Sequence, residues 1–174
     1  MFLNRGMSAI ESLQPVQGGV SSARDVARGI SRLFARNDIW CLPEMPLRGG
    51  RRADLMGIDA RGHIIIVEIK VSRADLLGDV KWTEYLDYCD RFYWGLAPNL
   101  DRACLQGEGF LPDRCGVLVG DGYDAEIVRP APLLQMAAAR RKVEVARLAR
   151  ASLRRMVNAA DPQTLQWGGE RDLT

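Results

Sequence analysis

Apolar side chains along this chain recur at two periods, and each change of period marks a new element. Residues 64–71 read Ile-Ile-Ile-Val-Glu-Ile-Lys-Val, with Ile64 and Ile66 on one face and Ile65, Val67, Ile69 and Val71 on the other. A strand covered on both faces has this pattern. Just upstream, Asp59 and His63 flank the loop Ala60-Arg61-Gly62, whose glycine stands where such hairpin loops take a left-handed residue. Setting Asp59 against His63 fixes the register: Ile58 faces Ile64, Met56 faces Ile66, and Asp54 faces Glu68. Before the hairpin, Val26, Ile30, Leu33 and Phe34 fall at helical spacing after the candidate caps Ser21 and Ser22, predicting a first helix. Residues 39–42 begin a strand that Pro43 and Pro46 interrupt, which suits a sheet edge.

Past Val71, Ser72-x-x-Asp75 resembles a capping box and opens one helix, or two broken near Gly78, carrying Lys81, Glu84, Tyr85 and Tyr88. Residues 91–96 read as the next strand and 100–105 as a short helix. Residues 116–119 and 125–128 form a hairpin around Gly120-Asp121-Gly122-Tyr123-Asp124, and a long helix runs over 133–157. The expected fold class is α/β, a mixed sheet flanked by helices, with a core of helix, three antiparallel strands, helix and strand. Residues 1–19 are expected as a flexible arm, 20–160 as one domain and 161–174 as a loose tail.

With 174 residues and 47% hydrophobic composition, the chain can build one core. Its net charge of +2 leaves any argument for a nucleic-acid partner to the placement of charges. Cys41, Cys89, Cys104 and Cys115 show no CxxC spacing and are joined by a single His, which speaks against zinc and for reduced thiols. The start has no sustained apolar stretch with a small-residue cleavage site, and nothing approaches the length needed to cross a bilayer. A cytoplasmic protein without a membrane partner is expected.

The chemistry concentrates where Asp54 meets Glu68. Like charges facing each other across strands destabilise a sheet, and in a partly buried place they need a proton or a shared cation. Mg²⁺ (or Mn²⁺) suits two carboxylates, because it takes oxygen ligands and completes its shell with water and phosphate. Lys70, two residues beyond Glu68, points to the same face. There it could orient or deprotonate a water, or neutralise charge on a phosphate under attack. Glu44 reads either as a third carboxylate aimed from the neighbouring strand or as a charge guarding an edge. Asp25, on the first helix, is a remoter candidate, and His63 reads as a turn residue.

An Asp, a two-strand hairpin and Glu-x-Lys resemble the core signature of the PD-(D/E)xK nuclease superfamily. The longer run Arg52-Ala53-Asp54, Val67-Glu68-Ile69-Lys70 and Lys81-Trp82-x-Glu84-Tyr85-x-Asp87-Tyr88-Cys89-Asp90 resembles the MmcB-type DNA repair proteins of bacteria, over about residues 20–132. Ala53 stands where the superfamily name has Pro. The resemblance implies a restriction-endonuclease-like fold and a role in DNA repair, and the superfamily includes members without activity. Together with the register argument it assigns Asp54, Glu68 and the Ile69 carbonyl to a metal and Lys70 to the attacking water. Lys81 and Tyr85, four apart and so on one face of a helix, read either as phosphate contacts or as a solvated lysine and a core tyrosine.

Arg48, Arg51 and Arg52 lie on the loop entering the Asp54 strand, where they could grip phosphates. Arg140, Arg141, Lys142, Arg147, Arg150, Arg154 and Arg155 make the last helix locally basic with one acid, Glu144, either to hold DNA or simply as a solvated face. DNA is the expected partner, with a homodimer or other repair proteins beside it. Three readings compete: a metal-dependent DNA nuclease first, then an inactive DNA-binding accessory that keeps the nuclease fold, and last a structural or oligomeric sheet protein without a nucleic-acid partner.

Overall fold

The structure, a computed structural model, describes residues 21–166. The expected N-terminal arm and the end of the expected tail lie outside the described residues. Helix α1, Ala23–Arg36, starts on a complete capping box: the Ser22 hydroxyl accepts from the Asp25 amide at 3.2 Å, and the Asp25 carboxylate takes the Ser22 amide and hydroxyl at 3.1 and 2.7 Å. These bonds satisfy donors that a helix start otherwise leaves orphaned. They also keep Asp25 beside the Gly122 loop, on the opposite face of the sheet from Glu68, so its candidacy for the carboxylate site falls.

Six strands follow: β1 Ile39–Pro46, β2 Arg52–Asp59, β3 Ile64–Lys70, β4 Arg91–Leu96, β5 Cys115–Gly120 and β6 Ala125–Arg129. They lie side by side in chain order. The first three are antiparallel, β3, β4 and β5 are parallel, and β6 returns antiparallel. The hairpin has the expected register, with Ile58 opposite Ile64 and Met56 opposite Ile66. Gly62 takes φ +80°, and the Asp59 carboxylate accepts from the Arg61 and His63 amides while meeting His63 Nδ1 at 2.8 Å. His63 closes the turn, as its position implied.

Each face of the sheet has its own core. Val26, Ile30 and Phe34 of α1 cover Leu55, Ile65, Val67 and Ile69, the odd-numbered side of β3. On the even side Met56, Ile64, Ile66, Phe92 and Trp94 pack under Trp82, Tyr85 and Leu148. That second cover comes from helix α2 (Arg73–Gly78), a 3₁₀ segment (Trp82–Tyr88) and helix α3 (Ala138–Ala160). The short helix expected over 100–105 is a 3₁₀ turn, Ala103–Gln106, and the expected tail begins with another, Pro162–Gln166. Among the described residues no helix is long and apolar enough to cross a membrane.

Helix α3 begins at Ala138, five residues later than its apolar pattern suggests, because Asp90 holds the preceding segment extended. The Asp90 carbonyl accepts from the Leu134 amide at 2.9 Å. Its carboxylate, only 1% exposed, accepts from the amides of Ile64 and Met136 at 2.8 Å each and pairs with Arg141. Burial alone would raise this carboxyl. The Arg141 guanidinium and the two amides outweigh burial and hold it below the ordinary aspartate range.

Removing Asp90 would leave the Ile64 and Met136 amides without their acceptor and the part-exposed Arg141 guanidinium unpaired. Asp90→Ala is therefore expected to cost about 3–5 kcal/mol and to lower the melting temperature by roughly 10 °C. A depressed folded pKa contributes stability that is present above the unfolded pKa and lost as pH falls through the folded one. Thermal melts should show the gap between wild type and variant closing in acid, and an unchanged gap would refute the linkage.

A candidate carboxylate site at the end of β3

The even-numbered side of β3 changes character within one strand. Ile64 and Ile66 are fully buried; Glu68 and Lys70, next on the same face, are buried almost as deeply at 7% and 5% exposure. Asp54 shares that face with Met56. The main-chain ladder between β2 and β3 runs to Leu55 and Val67 and then opens. Beyond it the Asp54 carboxylate itself accepts from the Ile69 amide at 2.7 Å. The N–H and C=O of one strand residue point to the same edge, so the Ile69 carbonyl faces Asp54 as well.

Around these groups charge is divided unevenly. Lys70 Nζ lies 3.1 Å from Glu68 Oε1, 2.9 Å from Asp79 Oδ2 and 3.7 Å from Asp75 Oδ1. Burial disfavours its charge, but Asp79 and Glu68 outweigh burial and raise the ammonium above the ordinary lysine pKa. For Glu68 the balance runs the other way. Burial, then the neighbouring Asp54, push its carboxyl from 4.5 up to about 7 against the pull of Lys70. A simple Glu–Lys pair would lower the acid; here Asp79 competes for the ammonium, and Glu68 is left under-compensated. Its second oxygen, Oε2, is buried with no hydrogen-bond partner. Asp54 is raised by burial too, although the Ile69 amide and Lys70 favour its charge.

Asp54, Glu68, Lys70 and Tyr85 thus come together, while Lys81 and Glu44 turn elsewhere. Tyr85 is buried; its hydroxyl donates to the Arg52 carbonyl at 3.2 Å, and burial beside Glu68 raises its pKa. The segment carrying it is a 3₁₀ helix, in which residues three apart eclipse, so Trp82 and Tyr85 share the buried side and Lys81 is left exposed. Sharing of one face by Lys81 and Tyr85 does not occur. Glu44 stands across from Asp54 by register, since Pro43 pairs with Leu55 and Met45 with Ala53. Its backbone is left-handed, φ +53°, an uncommon state for a non-glycine residue, and its carboxylate pairs with Arg52 at 2.5 Å. Among the described residues no group of three or more metal-capable side chains forms, so the third carboxylate expected at Glu44 is absent.

Most of the cations expected to grip phosphate are engaged within the fold. Arg51 pairs with Glu84 at 2.9 Å and stands 5.8 Å over the Tyr85 ring. Arg140 lies over Tyr88, Arg141 holds Asp90, and Arg147 bridges Glu144 and the Pro46 carbonyl. Arg48 is exposed, and Arg52 is exposed despite its pairing with Glu44. Asp79, which sequence reasoning missed altogether, is the strongest partner of Lys70. An acid directly after the helix-ending Gly78 was its only signal, and that signal does not say where the chain turns next.

A family model described as DNA repair protein MmcB-like matches residues 14–163. Among solved structures, the SPO1766 protein of unknown function from Silicibacter pomeroyi is 38% identical, with a TM-score of 0.68 over 87% of this chain and 95% of that one. A repair endonuclease from Pyrococcus abyssi is 23% identical with a TM-score of 0.32, over 47% of this chain and 42% of that one. No curated protein matches. A family match that spans all six strands, both carboxylates and Lys70 makes this chain a member of the MmcB-like DNA repair protein family.

Proposed function

We propose that the protein is a metal-dependent phosphodiesterase acting on DNA. The observation that carries this reading is Glu68 Oε2, a buried carboxylate oxygen without a hydrogen-bond partner beside a second carboxylate on the same face. Buried polar atoms are rarely left in that state unless something else occupies them. A hard divalent cation fits the donors. Asp54 and Glu68 would hold it, with the Ile69 carbonyl on the same side, as an oxygen-ligand ion with few protein ligands prefers. Mg²⁺ (or Mn²⁺), when bound, supplies positive charge against the phosphate oxygens as charge builds on them.

The chain's own groups do the rest. Lys70, kept protonated by Glu68 and Asp79, serves as a fixed cation and hydrogen-bond donor, not as a base that removes a proton. Preset charge of this kind lowers a barrier without reorganisation at the moment of reaction. Tyr85 braces the Arg52 carbonyl at the entry to β2 and so supports the strand that presents Asp54. Arg48, exposed on the loop that enters β2, is offered to flanking phosphates, with Arg52 able to join it if its pair with Glu44 opens.

A second reading rests on a different observation. Lys70 is held by Glu68 and Asp79 with Asp75 close by, and Glu44 is tied to Arg52, an arrangement that also suits an inactive DNA-binding accessory protein. Cutting assays separate the two. Asp54→Ala and Glu68→Ala should each lower Mg²⁺-dependent cleavage of a DNA oligonucleotide at least about 100-fold. Unaltered cleavage in both variants would sink the nuclease, whereas DNA binding without any cleavage by the wild type would favour the accessory.

Stability provides an independent check on the site. A carboxyl whose pKa rises on folding from 4.5 to about 7 binds a proton in the folded state that the unfolded chain releases. Without metal, melting temperature should therefore rise as pH is lowered from 8 towards 6. Glu68→Gln should melt a few degrees higher than wild type at pH 8. Added Mg²⁺ should stabilise the wild type and leave the variant unmoved; equal responses would show that Glu68 holds no ion.

A further inference from the structure

Helix α3 has two apolar sides, and the fold uses one. Leu148 and the partly buried Val145 and Ala151 turn toward the sheet. About a third of a turn round the helix Ala146, Ala149, Leu153, Met156 and Ala160 follow at alternating steps of three and four residues, the spacing of a seam that meets another helix. All five are exposed, with Leu153 at 60% and Met156 at 68%. Val157, at 51% exposure, widens the patch. Scattered apolar residues on a surface need no explanation, but a continuous stripe marks an interaction site.

Charge selects the occupant. Glu144 is the only acid between Ala138 and Ala160; it is buried and pairs with Arg147. The exposed side carries Lys142, Arg150 and Arg154, and the two arginines, four residues apart, run along one flank of the seam. A second copy docked by two-fold symmetry would set arginine rows against each other, which is repulsive. Duplex DNA would satisfy the arginines but leave Leu153 and Met156 in water. Single strands stack on aromatic rings, and the seam has none.

We propose that the exposed side of α3 docks an amphipathic helix of another protein, one with apolar residues at seam spacing and acids along the flank facing Arg150 and Arg154. Contact of this kind needs both components at once: the stripe to bury area, and the acid row to set orientation and exclude like-charged partners. It stands apart from the carboxylate site and does not depend on the reading of that site.

The probe is a synthetic three-heptad peptide with Leu at the seam positions and Glu on the flanks, titrated against the full chain by fluorescence anisotropy. Saturable binding is expected. It should weaken at least about 10-fold in Leu153→Ser/Met156→Ser and likewise in Arg150→Glu/Arg154→Glu, and a Lys-flanked peptide should recover the second variant. Both pairs are exposed, so circular dichroism melts should match wild type, and Leu153→Ser/Met156→Ser should leave any metal-dependent DNA cutting unchanged. The proposal falls if the Glu peptide fails to bind or binds all variants alike. It falls equally if sedimentation shows a dimer that Leu153→Ser abolishes, or if phosphatidylglycerol vesicles or duplex DNA bind with the same dependence on Leu153 and Met156 in place of the peptide.

Discussion

Asp54 and Glu68 lie on one face of a buried hairpin, and the polar structure around β3 is arranged about the negative charge they bring. Lys70 answers part of it, but Asp79 and Asp75 draw on the same ammonium. Glu68 is left raised to about 7, with one buried oxygen that makes no hydrogen bond. An apolar pair of the same shape would be cheaper to bury. Keeping two acids there makes physical sense when something cationic completes the site, which is why the carboxylates and not the surface arginines carry the functional reading.

The arginines have a different part in the molecule. Arg155 and Arg147 donate to the carbonyls of Pro43, Glu44 and Pro46 and so fasten α3 along β1, an edge strand that runs unbroken through Pro43 to Pro46. Arg141 locks the start of α3 to β4 through Asp90. A helix that reads as a basic surface in sequence is therefore fixed by much of its own charge, and only Lys142, Arg150 and Arg154 are left alongside its outer apolar seam. The edge becomes a poor template for pairing.

Some residues could be placed before any coordinates, and some could not. Asp54 and Glu68 could, because a glycine at the third loop position and a period of two leave one register that buries Met56 and Ile66 together. Tyr85 could be placed near them, but not for the reason of helical spacing: the segment is 3₁₀, so Lys81 points away. Glu44 was on the right row of the sheet and was turned aside by a left-handed backbone and a nearby arginine. Asp79 was invisible, since its contact with Lys70 depends on how tightly the chain reverses after a helix of only six residues.

Sequence by itself determined the order of elements, the hairpin alignment and the meeting of two acids, because each follows from short-range periodicity and turn chemistry. Tertiary structure decided how the charges are shared. Which cation faces which acid, whether a carboxylate oxygen is satisfied, and which side of α3 is left in water all depend on contacts between residues distant in the chain. Local pattern does not encode those contacts; packing of the whole sheet and its two covers does.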